Sequence, residues 1–191
     1  MGQAQEFSAD VVYSNTVKQA DAGSAKAAAV PPSTKIFVSK DRMRLELRGM
    51  INQVMLVDVE KPEAYTLYPN QKAYSPLGSM PPQYFWVTDA ENACGDWQKA
   101  AGKEISCQKV GPETVDGRSA IKYKGEGPAG QEHVWVDTKL KFVIKWDADN
   151  AGAELHNVKE GPQADQLFQI PADYEVLQPK KKPPKMGKRP K

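Results

Sequence analysis

Residues 42–48 read RMRLELR, with Met43, Leu45 and Leu47 alternating against Arg42, Arg44, Glu46 and Arg48. A period of two sends successive side chains to opposite sides of an extended chain, so this stretch is a strand with one apolar and one wet face. The same alternation runs through FSADVVYS (7–14), where Phe7, Ala9, Val11 and Tyr13 share a face. Further strands are expected over 34–39, 51–59, 63–69, 119–125, 132–137, 141–147 and 153–159. Turn-forming clusters such as EKPE, PNQK, GPAGQ and DADNAG separate them. Strands at such short spacing pair as antiparallel neighbours, which predicts a mainly β fold, a barrel or a curved sheet.

Helical material is scarce. The best stretch is 81–102, PPQYFWVTDAENACGDWQKAAG, with Pro81 and Pro82 near a start and Gly102 near an end. Asp89 is expected to cap a short helix through Cys94 and Trp97. Residues 19–33, rich in Ala, Ser, Gly and Pro, read as a polar loop. The whole of 1–177 is taken as one domain, which suits a chain of 191 residues.

Net charge is only +2 but unevenly placed. The segment 180–191, KKKPPKMGKRPK, carries seven positive charges and no negative one, leaving 19 basic against 24 acidic groups in the rest. Proline and like-charge repulsion keep 178–191 out of any sheet, so a disordered basic tail is expected. Such a tail suits an anionic membrane surface or a cell-wall polymer. No aromatic residue interleaves its lysines, so nucleic acid is not the expected partner.

The function classes that need chemistry find no support. KVGPETVDGRSAIKY (109–123) sets Glu113, Thr114 and Arg118 close together. Its Asp116-Gly117 step, however, is the dipeptide of a two-residue hairpin, and no histidine lies near Thr114 in sequence. His133 and His156 sit inside strand patterns without metal-ligand spacing. No phosphate loop or nucleophile elbow occurs. We therefore expect no enzyme, no catalytic residue, no metal and no cofactor.

Cys94 and Cys107 stand thirteen residues apart, without the CxxC form of a redox or zinc site. We read them as a disulfide, which implies an oxidising compartment; two buried thiols are the alternative. The opening MGQAQEF has the small, polar character left behind when a signal peptide is removed, so a periplasmic or secreted chain is expected.

EFSADVVYSN, KIFVSKDRMRLEL, VGPETVDGRSAIKY, VWVDTKLKFVIKW and the closing LFQIPADYE follow one another in an order that resembles exported bacterial proteins of the DUF4412 type. That group lies near the LolA/LolB-like lipoprotein carriers. FQIPADYE resembles their closing F-x-I-P-x-x-Y segment. The resemblance implies a strongly curved antiparallel sheet, an incomplete barrel, with a helical or loop lid over an apolar cavity. It also implies a carrier for lipid or lipoprotein acyl chains. In such carriers an early-strand arginine holds the lid, and Arg42 and Arg44 lie in that region, on the polar face. The expected ligand-binding positions are Met43, Leu45, Leu47, Met55, Val57, Tyr65, Leu67 and Trp86. The alternative is an envelope structural or interaction protein with a filled core, whose basic tail contacts an anionic surface.

Overall fold

The computed structural model describes residues 5–14, 34–47, 52–60, 63–78, 84–101, 105–127, 130–148 and 151–177. The expected 19–33 loop and the 178–191 tail lie outside them. Among these residues the strands are β1 (Phe7–Ser14), β2 (Thr34–Val38), β3 (Arg42–Leu47), β4 (Gln53–Asp58), β5 (Glu63–Tyr68) and β6 (Ala73–Gly78). A helix, α1 (Ala93–Ala101), precedes β7 (Cys107–Val115), β8 (Arg118–Gly127), β9 (Gly130–Asp137), β10 (Val143–Ala148), β11 (Ala151–Glu160) and the short β12 (Glu175–Val176).

All twelve form one sheet in the order β12-β6-β5-β4-β3-β2-β1-β11-β10-β9-β8-β7. It is two meanders, β1 to β6 and β7 to β11, zipped together by the antiparallel pair β1 and β11. Only β12 runs parallel to its neighbour, β6. The sheet is open, with β7 and β12 as its edges, and one of this width curls rather than staying flat.

The alternation in RMRLELR is realised in register. Met43 lies opposite Val38 and Val57, and Leu45 opposite Ile36 and Met55. Directly opposed residues share a face, so the row continues through Ala9 to Val11 and Tyr13 on β1. From Tyr13 it passes to Ala153, Trp146, Val134 and Tyr123. One largely apolar face thus runs from β4 across to β8. Phe7, Val38, Met43, Val57, Phe142, Ile144 and Leu155 are buried in the main core.

The connection from β6 to β7 joins opposite ends of the sheet, so it must cross it. Backbone bonds pin it on the way: the Val87 N–H donates to Lys141 O (2.9 Å) and the Val143 N–H to Phe85 O (2.9 Å). Trp86 meets Phe142 edge-on at 5.2 Å.

On the opposite face Val54, Leu56 and Leu67 are buried, and Tyr65, Tyr74, Ile170 and Tyr174 pack on them. The closing FQIPADY segment thus covers β3 to β6 from the other side, with Phe168 also buried. Arg42 and Arg44 hold it there. The Arg44 guanidinium donates to Leu167 O (2.9 Å), and Arg42 donates to Asp165 (2.7 Å) and lies over the Phe168 ring. The early-strand arginines therefore fasten the C-terminal segment.

The Asp116-Gly117 step is a turn, as its chemistry predicts. Both residues have positive φ, 46° and 75°, and Val115 faces Arg118 across it. The Asp116 carboxylate accepts from the Asn157 N–H (3.2 Å), docking the hairpin tip on β11.

Candidate ligand-binding site

The sheet face that carries Tyr123, Val134 and Trp146 is where α1 lands. In its sequence, ACGDWQKAA, Ala93, Asp96 and Trp97 fall three and four residues apart and are the buried positions. Trp97 meets the Tyr123 ring edge-on, centroids 5.3 Å apart. Asp96 turns back along the chain, its carboxylate accepting from the Thr88 N–H (2.7 Å) and hydroxyl (2.8 Å). Asp89 does not cap the helix as expected. Its carboxylate instead accepts from the Glu91 N–H (2.9 Å) in the turn before α1, because the helix starts four residues later.

Three further ties hold this lid. The Tyr123 hydroxyl donates to Ala90 O (2.6 Å) and accepts from the Ala93 N–H (3.2 Å). Burial of that hydroxyl raises its pKa above the usual tyrosine value, keeping it protonated and able to donate. Cys94 and Cys107 form a disulfide between α1 and the first residue of β7, as the sequence predicts. Lys109 pairs with Glu91.

Between the lid and strands β8 to β10 lies a cavity of about 790 Å³. Its walls include Tyr84, Phe85, Trp97, Tyr123, Val134, Val143 and Trp146, with Ala101, Ile105 and Cys107 on the lid and edge side. Lys124, Glu126 and Glu132 supply the charged groups of the lining. The size and apolar character are those of small-molecule pockets. The backbone closes in at Gly125, where a Cβ would collide with the Ser106 carbonyl.

The structure divides the expected ligand-binding residues. Met43, Leu45, Met55 and Val57 come together on the lid-bearing face, and Leu47 shares it by alternation. Met43 and Val57 are buried in the core, whereas Leu45 and Met55 stay half-buried. Tyr65 and Leu67 pair with Leu56 and Val54 and face the other way, under the C-terminal segment. Trp86 lies beside Phe85 and Phe142, and its indole N–H is buried without a partner among the described residues. None of the eight is among the residues lining the cavity. Sequence reading missed that lining. The alternation in EHVWV places Glu132 with Val134 and Val136, a charge on an otherwise apolar face, and this was its one legible sign.

Among the described residues no group of His, Cys, Asp and Glu side chains is placed to hold a metal, and no helix is long and apolar enough to cross a membrane.

No protein-family model matches the chain, and no curated protein matches it. Solved structures do share its fold. An uncharacterized conserved protein from Thermus thermophilus superposes with a TM-score of 0.55 at 9% identity, covering 91% of this chain and 90% of that one. PNGF-II gives 0.57 at 12% identity over 91% of this chain and 31% of its own. The MucA/MucB complex of Pseudomonas aeruginosa gives 0.50 at 14% identity, over 95% and 62%. At these identities the likeness is one of fold: an open, mainly antiparallel sheet.

Proposed function

We propose that this protein is a non-enzymatic binding or carrier protein that holds a lipid or acyl-chain ligand between α1 and strands β8 to β10. The observation that carries this is the cavity itself, about 790 Å³ in volume and walled by Trp97, Trp146, Tyr84, Phe85, Tyr123, Val134 and Val143. An apolar chain entering it gains about 0.8 kcal/mol per CH2 group buried, so a long chain binds without polar anchors. Leu45 and Met55, half-buried on the same face, extend the apolar surface toward β3 and β4. The disulfide supports an oxidising, extracytoplasmic setting. The DUF4412-type resemblance implies the same reading. In that setting the basic 180–191 segment supplies a contact with an anionic membrane surface or cell-wall polymer.

The test is lipid mass spectrometry on an organic extract of gently purified protein, together with uptake of an apolar fluorescent probe. Stoichiometric lipid, and probe uptake lost in a folded Val134→Asp variant, are the expected results. A clean extract and no uptake would leave a filled-core interaction protein as the better description.

A further inference from the structure

The charge in the cavity points to the polar end of its ligand. On β9 the alternation that sets Val136 and Val134 on the lid face sets Glu132 there too, and its register partners are Gly125 and Ala148. Neither partner carries a group that can neutralise it. Among the described residues, no hydrogen bond or ion pair engages the Glu132 carboxylate. Lys124 and Glu126, the other charged residues of the lining, alternate away from Tyr123 and offset one another in charge. Among the described residues of the lining, the net charge that remains is therefore the Glu132 carboxylate, and the same lining holds Tyr84, Trp97, Tyr123 and Trp146.

We propose that the cavity takes an amphiphile whose head group is a cation, an ammonium or quaternary ammonium, placed at Glu132 with its chain among the aromatic residues. This rests on the cavity being a ligand site. Two physical effects act in the same direction. A carboxylate attracts a cation in a partly desolvated site far more than in water, and aromatic faces attract cations through their quadrupoles. A fatty-acid carboxylate would instead meet a like charge, because the cation that register sets on that face, Lys109 opposite Tyr123, is already paired with Glu91. A neutral alcohol falls between them, gaining only the burial of its chain.

The experiment compares three ligands of equal chain length, each below its micelle concentration or solubility limit: dodecyltrimethylammonium, dodecanol and dodecanoate. Affinities are read by displacement of an apolar fluorescent probe at pH 7. The proposal expects the ammonium to bind about tenfold more tightly than the alcohol, and the carboxylate to bind more weakly than either. In Glu132→Gln the ammonium should lose most of that advantage over the alcohol, keeping only what the aromatic faces supply. If that variant does not fold, the wild-type protein carries the test. Three ligands binding alike, or the carboxylate binding best, would overturn the head-group assignment and leave the cavity reading standing. Failure of all three to bind would overturn the cavity reading, and this inference with it.

Discussion

The hydroxyl of Tyr123, on β8, stands between the carbonyl of Ala90 at 2.6 Å and the N–H of Ala93 at 3.2 Å. One side chain thus satisfies both an acceptor and a donor at the start of the lid helix, in the buried position where leaving them unpaired costs most. Tyr123→Phe keeps the ring against Trp97 and removes only the oxygen. We expect a loss of about 1–3 kcal/mol in urea unfolding, and faster amide exchange over residues 90–97 than elsewhere. An unchanged exchange pattern would mean that the disulfide and the other lid contacts hold the lid without the Tyr123 hydroxyl.

The Cys94–Cys107 bridge constrains the unfolded chain over a sequence separation of 13. For a loop near this length the entropic contribution is about 3 kcal/mol. A Cys94→Ser, Cys107→Ser double variant should lower the urea midpoint by the corresponding amount. Added reductant should move the wild-type midpoint and leave the variant's unchanged.

Arg44 and Arg42 both reach the C-terminal segment, but not with equal weight. Arg44 is 18% exposed and donates to a main-chain carbonyl, while the Asp165 partner of Arg42 is 74% exposed. A hydrogen bond from a charged group in the shielded position contributes about 1.5–3 kcal/mol, whereas an exposed ion pair contributes about 1 kcal/mol or less. Arg44→Ala should therefore destabilise the protein and expose 161–177 to limited proteolysis, and Asp165→Ala should do neither. Equal effects would contradict this division.

Two carboxylates tie pH to stability. Glu113 accepts from the Trp135 indole N–H (2.7 Å) and Lys122 (3.1 Å), and Glu160 from Lys139 (2.5 Å) and Arg118 (2.9 Å). These bonds hold both carboxyls below the usual glutamate range. Because the folded values lie below the unfolded one, about 4.3, their stabilisation is complete above that pH and lost as pH falls through the folded values. The urea midpoint should drop between pH 5 and pH 3, and less steeply in a Glu113→Gln, Glu160→Gln variant. An identical slope in the variant would show that other groups govern the acid limb.

Much of this was legible in the residues, and the failures have identifiable causes. RMRLELR and FSADVVYS announce their strands because one face is buried and the other is wet, which writes a period of two into the chain. β6 (AYSPLG) and β7 (CQKVGPETV) went unread as strands. Each contains a proline, β7 is an edge strand, and its register slips between Lys109 and Gly111. Edge strands tolerate such interruptions, and the interruptions erase the alternation. β12 is two residues long and carries no pattern at all.

Local chemistry in the sequence determined the hairpin at Asp116-Gly117, the mainly β fold and the short helical stretch before a bridged Cys107. It could not decide which strands meet. The β1–β11 pairing closes a separation of more than a hundred residues, and no local signal encodes it. Alternation divides Met43 from Arg44 and Glu132 from His133, but it ranks neither face. Which face receives the lid was decided by the β6-to-β7 crossing, because a connection between opposite ends of an open sheet must lie over one side. That side carries Trp97, Tyr123 and Trp146, and so the cavity formed at β8 to β10 while Leu45 and Met55 were left outside its walls.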